Sequence, residues 1–115
     1  MEVRSKIWLA VDGEAVFGSG REALFKAIDR LGSINKAARD INISYRKALS
    51  YIQLMEQRLG KKLVERQTGG LNGGGASLTD DAREFMQKYE MLEEGVNEMI
   101  DRKFSEVFGN GQSSG

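Results

Sequence analysis

Residues 32–50, GSINKAARDINISYRKALS, decide the fold, because two helix starts lie eleven residues apart within them. Ser33 and Ser44 each carry a hydroxyl able to accept a bond from the free amides of a helix's first turn. Between them Asn42 suits the left-handed conformation that ends a helix. The first of the two predicted helices turns Ile34, Ala37, Ala38 and Ile41 inward. The second runs to about Leu59, with Ala48, Ile52, Met55 and Leu59 inward, and Gly60 stops it. Paired alanines let neighbouring helices cross closely at a steep angle. With a turn of three to four residues, this is what a helix-turn-helix requires.

The segments on either side extend the pattern. Upstream, Arg21 to Leu31 places Leu24, Phe25, Ile28 and Leu31 on one helical stripe, and Gly32 ends it. Before it, Lys6–Val11 and Glu14–Phe17 flank Asp12-Gly13, which predicts an N-terminal hairpin over residues 5–18; an irregular arm is the alternative. Downstream, Lys62–Arg66 and Ala76–Leu78 read as two short strands around the loop Gly69–Gly75, and residues 62–78 form a wing. From Asp80 to about Phe108, Ala82, Phe85, Tyr89, Leu92, Val96 and Met99 recur at alternating spacings of three and four. Thr79 is the expected cap of this helix, and Asp80 and Asp81 suit its positive end. Gly109–Gly115 offers nothing to pack and is expected to be disordered. The expected fold is mainly α with a small β wing, a winged helix-turn-helix (residues 1–78) followed by a long dimerisation helix (79–108).

The 115 residues carry 17 basic and 17 acidic side chains, so the net charge is zero. That sum hides a division. Gly20 to Arg66 holds 11 basic and 5 acidic residues, a balance of +6, whereas Asp80 to Val107 holds 4 and 9, a balance of −5. The first 19 residues, with 2 and 3, supply the remaining −1. The basic segment coincides with the helix-turn-helix, as a polyanionic partner requires.

His, Cys and Pro are absent. A Cys/His zinc site, a Ser-His-Asp triad and a thiol nucleophile are therefore excluded, and no metal or cofactor is expected. No stretch approaches the roughly 20 apolar residues of a membrane span, and a cysteine-free chain suits a reducing cytoplasm. The glycine loop lacks the order of a nucleotide-binding P-loop and precedes a strand instead of a helix.

Gly32–Arg39 followed by Ile43–Ala48 resembles the helix-turn-helix of LysR-type regulators, and is closer still to that of the molybdate-responsive ModE regulators. Lys62–Gly70, Gly73–Ala76 and Leu78-Thr79 look like the ModE wing. The resemblance runs from about Gly20 to Tyr89. It implies DNA binding and dimerisation through the long helix. Molybdate-sensing members of that family hold the anion in additional C-terminal domains, so no molybdate site is expected within this chain.

In a helix-turn-helix the start of the second helix enters the major groove. Ser44, Tyr45, Arg46 and Lys47, with Ser50 and Gln53 one turn on, are therefore the candidate DNA contacts. Arg46 suits a guanine edge and Lys47 a phosphate or guanine. Ser33 and Lys36 are expected at the backbone. Arg66, Thr68, Gly69, Gly70, Gly73 and Gly74 form a second contact zone, where glycines let backbone amides approach a phosphate. Arg46 and Lys47 alone would also fit an ordinary solvated helix face; the motif and the local charge favour DNA.

The long helix would span roughly 42 Å at 1.5 Å per residue, more than a small winged domain can cover. Phe85, Tyr89, Leu92, Val96, Met99 and Ile100 are accordingly the expected dimer seam. Two-fold symmetry would set the recognition helices about one DNA turn apart on a palindromic operator. The expected partners are double-stranded DNA and a second copy, with no membrane. A winged module that binds another protein is the competing function, whereas no convergent set of acids and bases suggests an enzyme.

Overall fold

A computed structural model describes residues 1–67 and 75–109. The chain divides into two compact units, one of Trp8–Phe85 and one of Met1–Ile7 with the chain from Met86 onward. In the first unit β1 (Leu9–Val11) pairs antiparallel with β2 (Glu14–Phe17), with a bulge between Leu9 and Ala10. Asp12 and Gly13 join them, both at positive φ (50° and 82°). This is the geometry for which an Asp-Gly pair is suited. The hairpin is shorter than the expected 5–18. Ser5 and Ile7 lie outside it and are held in the other unit, bonded to the long helix, so they are not available to a strand partner.

Helix α1 (Ser19–Leu31) starts two residues before the expected Arg21, and the Gly18 carbonyl accepts from the Glu22 amide at 2.8 Å. Gly32 ends it in the left-handed region, φ 66°. Next follow α2 (Ile34–Asp40) and α3 (Tyr45–Leu59), the helix-turn-helix. Ser33 and Ser44 cap them, each hydroxyl oxygen accepting a backbone amide three residues on, from Lys36 at 3.1 Å and from Lys47 at 3.0 Å. Asn42 sits at φ 63° in the turn. Ala37, Ala38 and Ala48 are fully buried at the helix crossing beside Leu24, Phe25, Ile28, Ile52 and Met55. Ile41 and Leu59 are half-buried, since each stands at a helix end where the core gives way to solvent.

Strands β3 (Val64–Gln67) and β4 (Gly75–Leu78) pair antiparallel in the register Val64 with Leu78 through Gln67 with Gly75. The expected first strand, Lys62–Arg66, is displaced by two residues at its start. One carboxylate oxygen of Glu56, on α3, accepts both the Leu63 and Val64 amides at 2.8 and 3.2 Å, fixing the strand's entry. β4 is tied to the end of α1 by the Ala76 amide donating to the Gly32 carbonyl at 2.9 Å. At Gly75 a Cβ would lie 3.1 Å from that same carbonyl oxygen, so the close approach leaves little room for a side chain.

Helix α4 (Asp80–Phe108) begins where the Thr79 hydroxyl accepts the Ala82 amide at 3.1 Å and donates to the Lys62 carbonyl at 2.8 Å. In the first unit, Phe85 meets Phe17 edge-on, with ring centroids 5.1 Å apart, and Arg83 pairs with Asp29. In the second unit, Tyr89 is 1% exposed and its hydroxyl donates to the Ile7 carbonyl at 2.9 Å. Ser5 donates to the Asn97 side chain at 2.7 Å, so the N-terminal segment runs along this part of the helix. Gly109 follows at φ 79°, and the rest of the expected disordered tail lies outside the described residues.

Candidate nucleic-acid interface

The capped start of α3 presents one face away from the core. Ala48, Ile52 and Met55 define the buried side; Arg46, Ser50 and Gln53 fall opposite and are exposed. The 3.6-residue period forces this division once the alanine and isoleucine positions are buried. Tyr45 and Lys47 sit at the flanks of that face, both exposed.

Each flank is tied to a neighbouring element. On one side the Arg66 guanidinium of β3 donates to the Tyr45 hydroxyl at 2.9 Å, joining the wing to the first residue of α3. On the other, the Arg21 guanidinium carbon lies 4.2 Å from the Tyr51 ring centroid, and the Lys47 ammonium lies 5.8 Å from the same centroid. Both distances are within cation–π range. Arg21 and Tyr51 are absent from the contacts expected from sequence. The Lys47–Tyr51 spacing of four residues was visible on a helix, but only the tertiary fold brings Arg21 to the ring.

The cations of Trp8–Phe85 fall into two sets. Lys26, Arg30, Arg58 and Arg83 each have a carboxylate within 4 Å: Glu22, Asp40, Glu14 with Asp12, and Asp29 respectively. Lys36, Arg39, Arg46, Lys47, Arg21, Arg66, Lys61 and Lys62 have none among the described residues. Five of these eight lie on α2, at the start of α3, or on the wing strand. Arg21 stacks on α3 itself, and Lys61 and Lys62 follow the end of α3. Positive charge is thus left uncompensated around the exposed face of α3, which favours a polyanion there.

The structure places the other sequence-derived contacts unequally. Ser33 and Ser44 use their oxygen lone pairs as caps, which leaves each hydroxyl proton free to donate outward. Lys36 is exposed on α2. Thr68, Gly69, Gly70, Gly73 and Gly74 lie outside the described residues. The proposed seam is narrowed. Phe85 is engaged with Phe17 and Tyr89 is buried with its hydroxyl bonded, because both are used for packing inside the chain. Val96 and Ile100 are half-buried, while Leu92 and Met99 remain 44% and 58% exposed. Met91, Val107 and Phe108, which the spacing argument omitted, are also exposed. Among the described residues, no group of three or more Asp or Glu side chains could hold a metal ion, and no helix is long and apolar enough to cross a membrane.

Residues 22–83, from the first turn of α1 into α4, match the description of bacterial regulatory helix-turn-helix proteins of the LysR family. The chain belongs to this family. The chain carries a ModE-like helix-turn-helix region. It is 44% identical over 72 residues to the DNA-binding transcriptional dual regulator ModE of Escherichia coli K12, covering 63% of this chain and 28% of that protein. It is 35% identical over 108 residues to the molybdenum transport protein ModE of Azotobacter vinelandii, covering 91% and 40%. The chain therefore spans well under half the length of these relatives. Among solved structures, the BenM DNA-binding domain in complex with benA site 1 DNA matches with a TM-score of 0.52 and 25% identity, covering 80% of this chain and 96% of that one. The LysR-family winged fold carries these residues, with α3 as the second helix of the helix-turn-helix.

Proposed function

We propose that this chain is a sequence-specific, DNA-binding transcriptional regulator that occupies a palindromic operator as a homodimer in the cytoplasm. Its first unit docks α3 in the major groove. Arg46, Ser50 and Gln53 read base edges, and Ser33, Lys36, Ser44, Tyr45, Lys47 and Arg66 hold phosphates. The wing loop, with Thr68, Gly69, Gly70, Gly73 and Gly74, follows the adjacent backbone. Leu92, Val96, Met99 and Ile100 of α4 face a second copy. The names of the ModE relatives extend the proposal to genes of molybdenum transport. No catalytic group, metal or cofactor enters this reading.

The observation that carries it is the ring of uncompensated cations around the exposed start of α3, braced by the Tyr45–Arg66 hydrogen bond. Coulomb attraction to phosphates supplies affinity, and the face between the braces supplies discrimination. Selection from a pool of random duplexes, followed by fluorescence anisotropy on the selected sequence, tests this. The selected site is expected to be palindromic, and its affinity to fall by roughly 10³-fold between 50 and 200 mM salt. An affinity indifferent to both sequence and salt would overturn the reading in favour of a protein-binding module.

A further inference from the structure

We propose that Arg21, stacked on Tyr51, is a second phosphate anchor on the side of α3 opposite the wing. The inference rests on the DNA-binding reading and adds a residue outside the helix-turn-helix to it.

Arg21 stands in the first turn of α1 and Tyr51 in the second turn of α3, so their contact depends wholly on the tertiary fold. The 4.2 Å approach of guanidinium carbon to ring centroid restrains a side chain that otherwise has many rotamers. Arg21 has no carboxylate neighbour among the described residues, and its buried Nε has no hydrogen-bond partner. A guanidinium held for internal stability would normally be expected to gain a carboxylate or carbonyl partner. This one is half-buried, with its charge uncompensated beside Lys47, which approaches the same ring.

Two like charges gathered around one aromatic ring repel each other in the free protein. A phosphate placed between them would relieve that repulsion and accept from both. The stack leaves the edge of the guanidinium's terminal nitrogens available for such a bond.

The same flank of α3 shows where the anchor ends. Two turns on, Arg58 is neutralised by Glu14 at 2.6 Å, with Asp12 at 3.9 Å. Within α3, free charge is therefore confined to the first half, the half that a major-groove docking brings to DNA, while Lys61 and Lys62 lie beyond its other end. Arg66 through Tyr45 on one side and Arg21 through Tyr51 on the other hold cations by two tyrosines of the same helix. The resulting spacing would clasp the backbones that border the groove.

The test compares the whole chain with Arg21→Gln, Arg21→Lys and Tyr51→Phe, on a duplex selected by the wild type and on an unrelated duplex of equal length. Binding is measured across 50–200 mM salt, and melting temperature is recorded for each variant. Arg21→Gln should weaken binding to both duplexes alike. The salt slope should flatten by about 0.9 per protomer, so that the deficit shrinks roughly threefold per protomer across that range. Arg21→Lys keeps the charge and should keep the wild-type slope. Tyr51→Phe keeps the ring that holds Arg21 and should keep the wild-type slope; a slope as flat as that for Arg21→Gln would overturn the proposal, because the hydroxyl and not the stack would then carry the effect.

An unchanged slope for Arg21→Gln overturns the proposal, whatever its melting temperature. A slope for Arg21→Lys as flat as that for Arg21→Gln also overturns it, since the stack would then matter only for the fold. If the wild-type chain binds neither duplex, the DNA-binding reading itself fails. Normal wild-type binding with an unaltered Arg21→Gln slope removes only the anchor.

Discussion

The two units differ in what they leave unsatisfied. Trp8–Phe85 has a well-buried apolar core, in which Phe17, Leu24, Ile28, Ala37 and Ala48 are essentially inaccessible, and of its large apolar side chains Trp8 and Tyr45 are exposed. Its surplus is charge, in the cations without carboxylates around α3. The helix beyond Met86 is the reverse. It is rich in acid, and among its described residues only Tyr89 and Phe104 are buried apolar side chains, whereas Met91, Leu92, Met99, Val107 and Phe108 are exposed. Its surplus is hydrocarbon. A folded unit with excess cations calls for an anion, while a helix with uncovered apolar side chains calls for another apolar surface. The two proposed partners, DNA and a second copy, follow from these different deficits.

The strongest way to break this contrast is to remove the surplus charge alone. Arg46→Ala with Lys47→Ala should cost about 10²-fold or more in affinity for the selected duplex, since a bidentate guanine contact contributes about 1–3 kcal/mol and the lysine adds to it. Both side chains are exposed and have no carboxylate partner among the described residues, so the melting temperature and the oligomeric state should hold. Isothermal titration beside analytical ultracentrifugation reads both. Retained affinity would show that the charge surplus is an ordinary solvated face, and would favour the protein-binding module.

The second surplus is tested by Leu92→Glu with Met99→Glu. Burying either side chain fully is worth roughly 1.5–3 kcal/mol, and both are partly covered already within one chain. A rise of about ten- to a hundredfold in the dimer dissociation constant is the expected result in sedimentation equilibrium. DNA affinity should fall only through loss of the dimer, recovering at high protein concentration. A dimer that survives both charges would move the interface away from this seam, with Met91, Val107 and Phe108 the next surface to examine.

How legible each region was in the sequence follows from how locally it is determined. Ser33, Asn42, Ser44 and Gly60 act on their own backbone, and the structure places every one of them in the expected role. The alanine and isoleucine positions of α3 likewise fix which side faces out, because helical periodicity leaves no other choice. The hairpin was overextended because Lys6–Trp8 has good strand character, while the competing attachment of Ser5 and Ile7 to α4 comes from residues more than 80 positions away. The same long-range contact explains the seam. Phe85 and Tyr89 share the heptad spacing of Leu92 and Met99, and spacing cannot tell which turns of a long helix the chain covers itself. The role of Arg21 is not legible locally for the corresponding reason: nothing in α1 announces that its first turn will meet an aromatic ring on α3.

The smallest expected effect addresses that self-coverage directly. Tyr89→Phe keeps the buried ring and deletes the hydroxyl that donates to the Ile7 carbonyl. The hydroxyl also lies 3.4 Å from a Glu93 carboxylate oxygen; one such hydrogen bond contributes about 1 kcal/mol net, and leaving the carbonyl without its donor can add to the loss. Thermal unfolding should therefore fall by a few degrees, roughly what 1 kcal/mol shifts in a domain of this size. The bond lies far along the chain from the α3 face, so the affinity of preassembled dimer for DNA should match wild type within experimental error. Hydrophobic packing of the ring is untouched, which separates this variant from Tyr89→Ala, where a cavity would add about 3–5 kcal/mol. If Tyr89→Phe instead weakens DNA binding without lowering the melting temperature, the N-terminal segment acts in recognition and not only in covering the helix. The division between a unit that needs an anion and a helix that needs apolar cover would then have to be redrawn around residues 1–7.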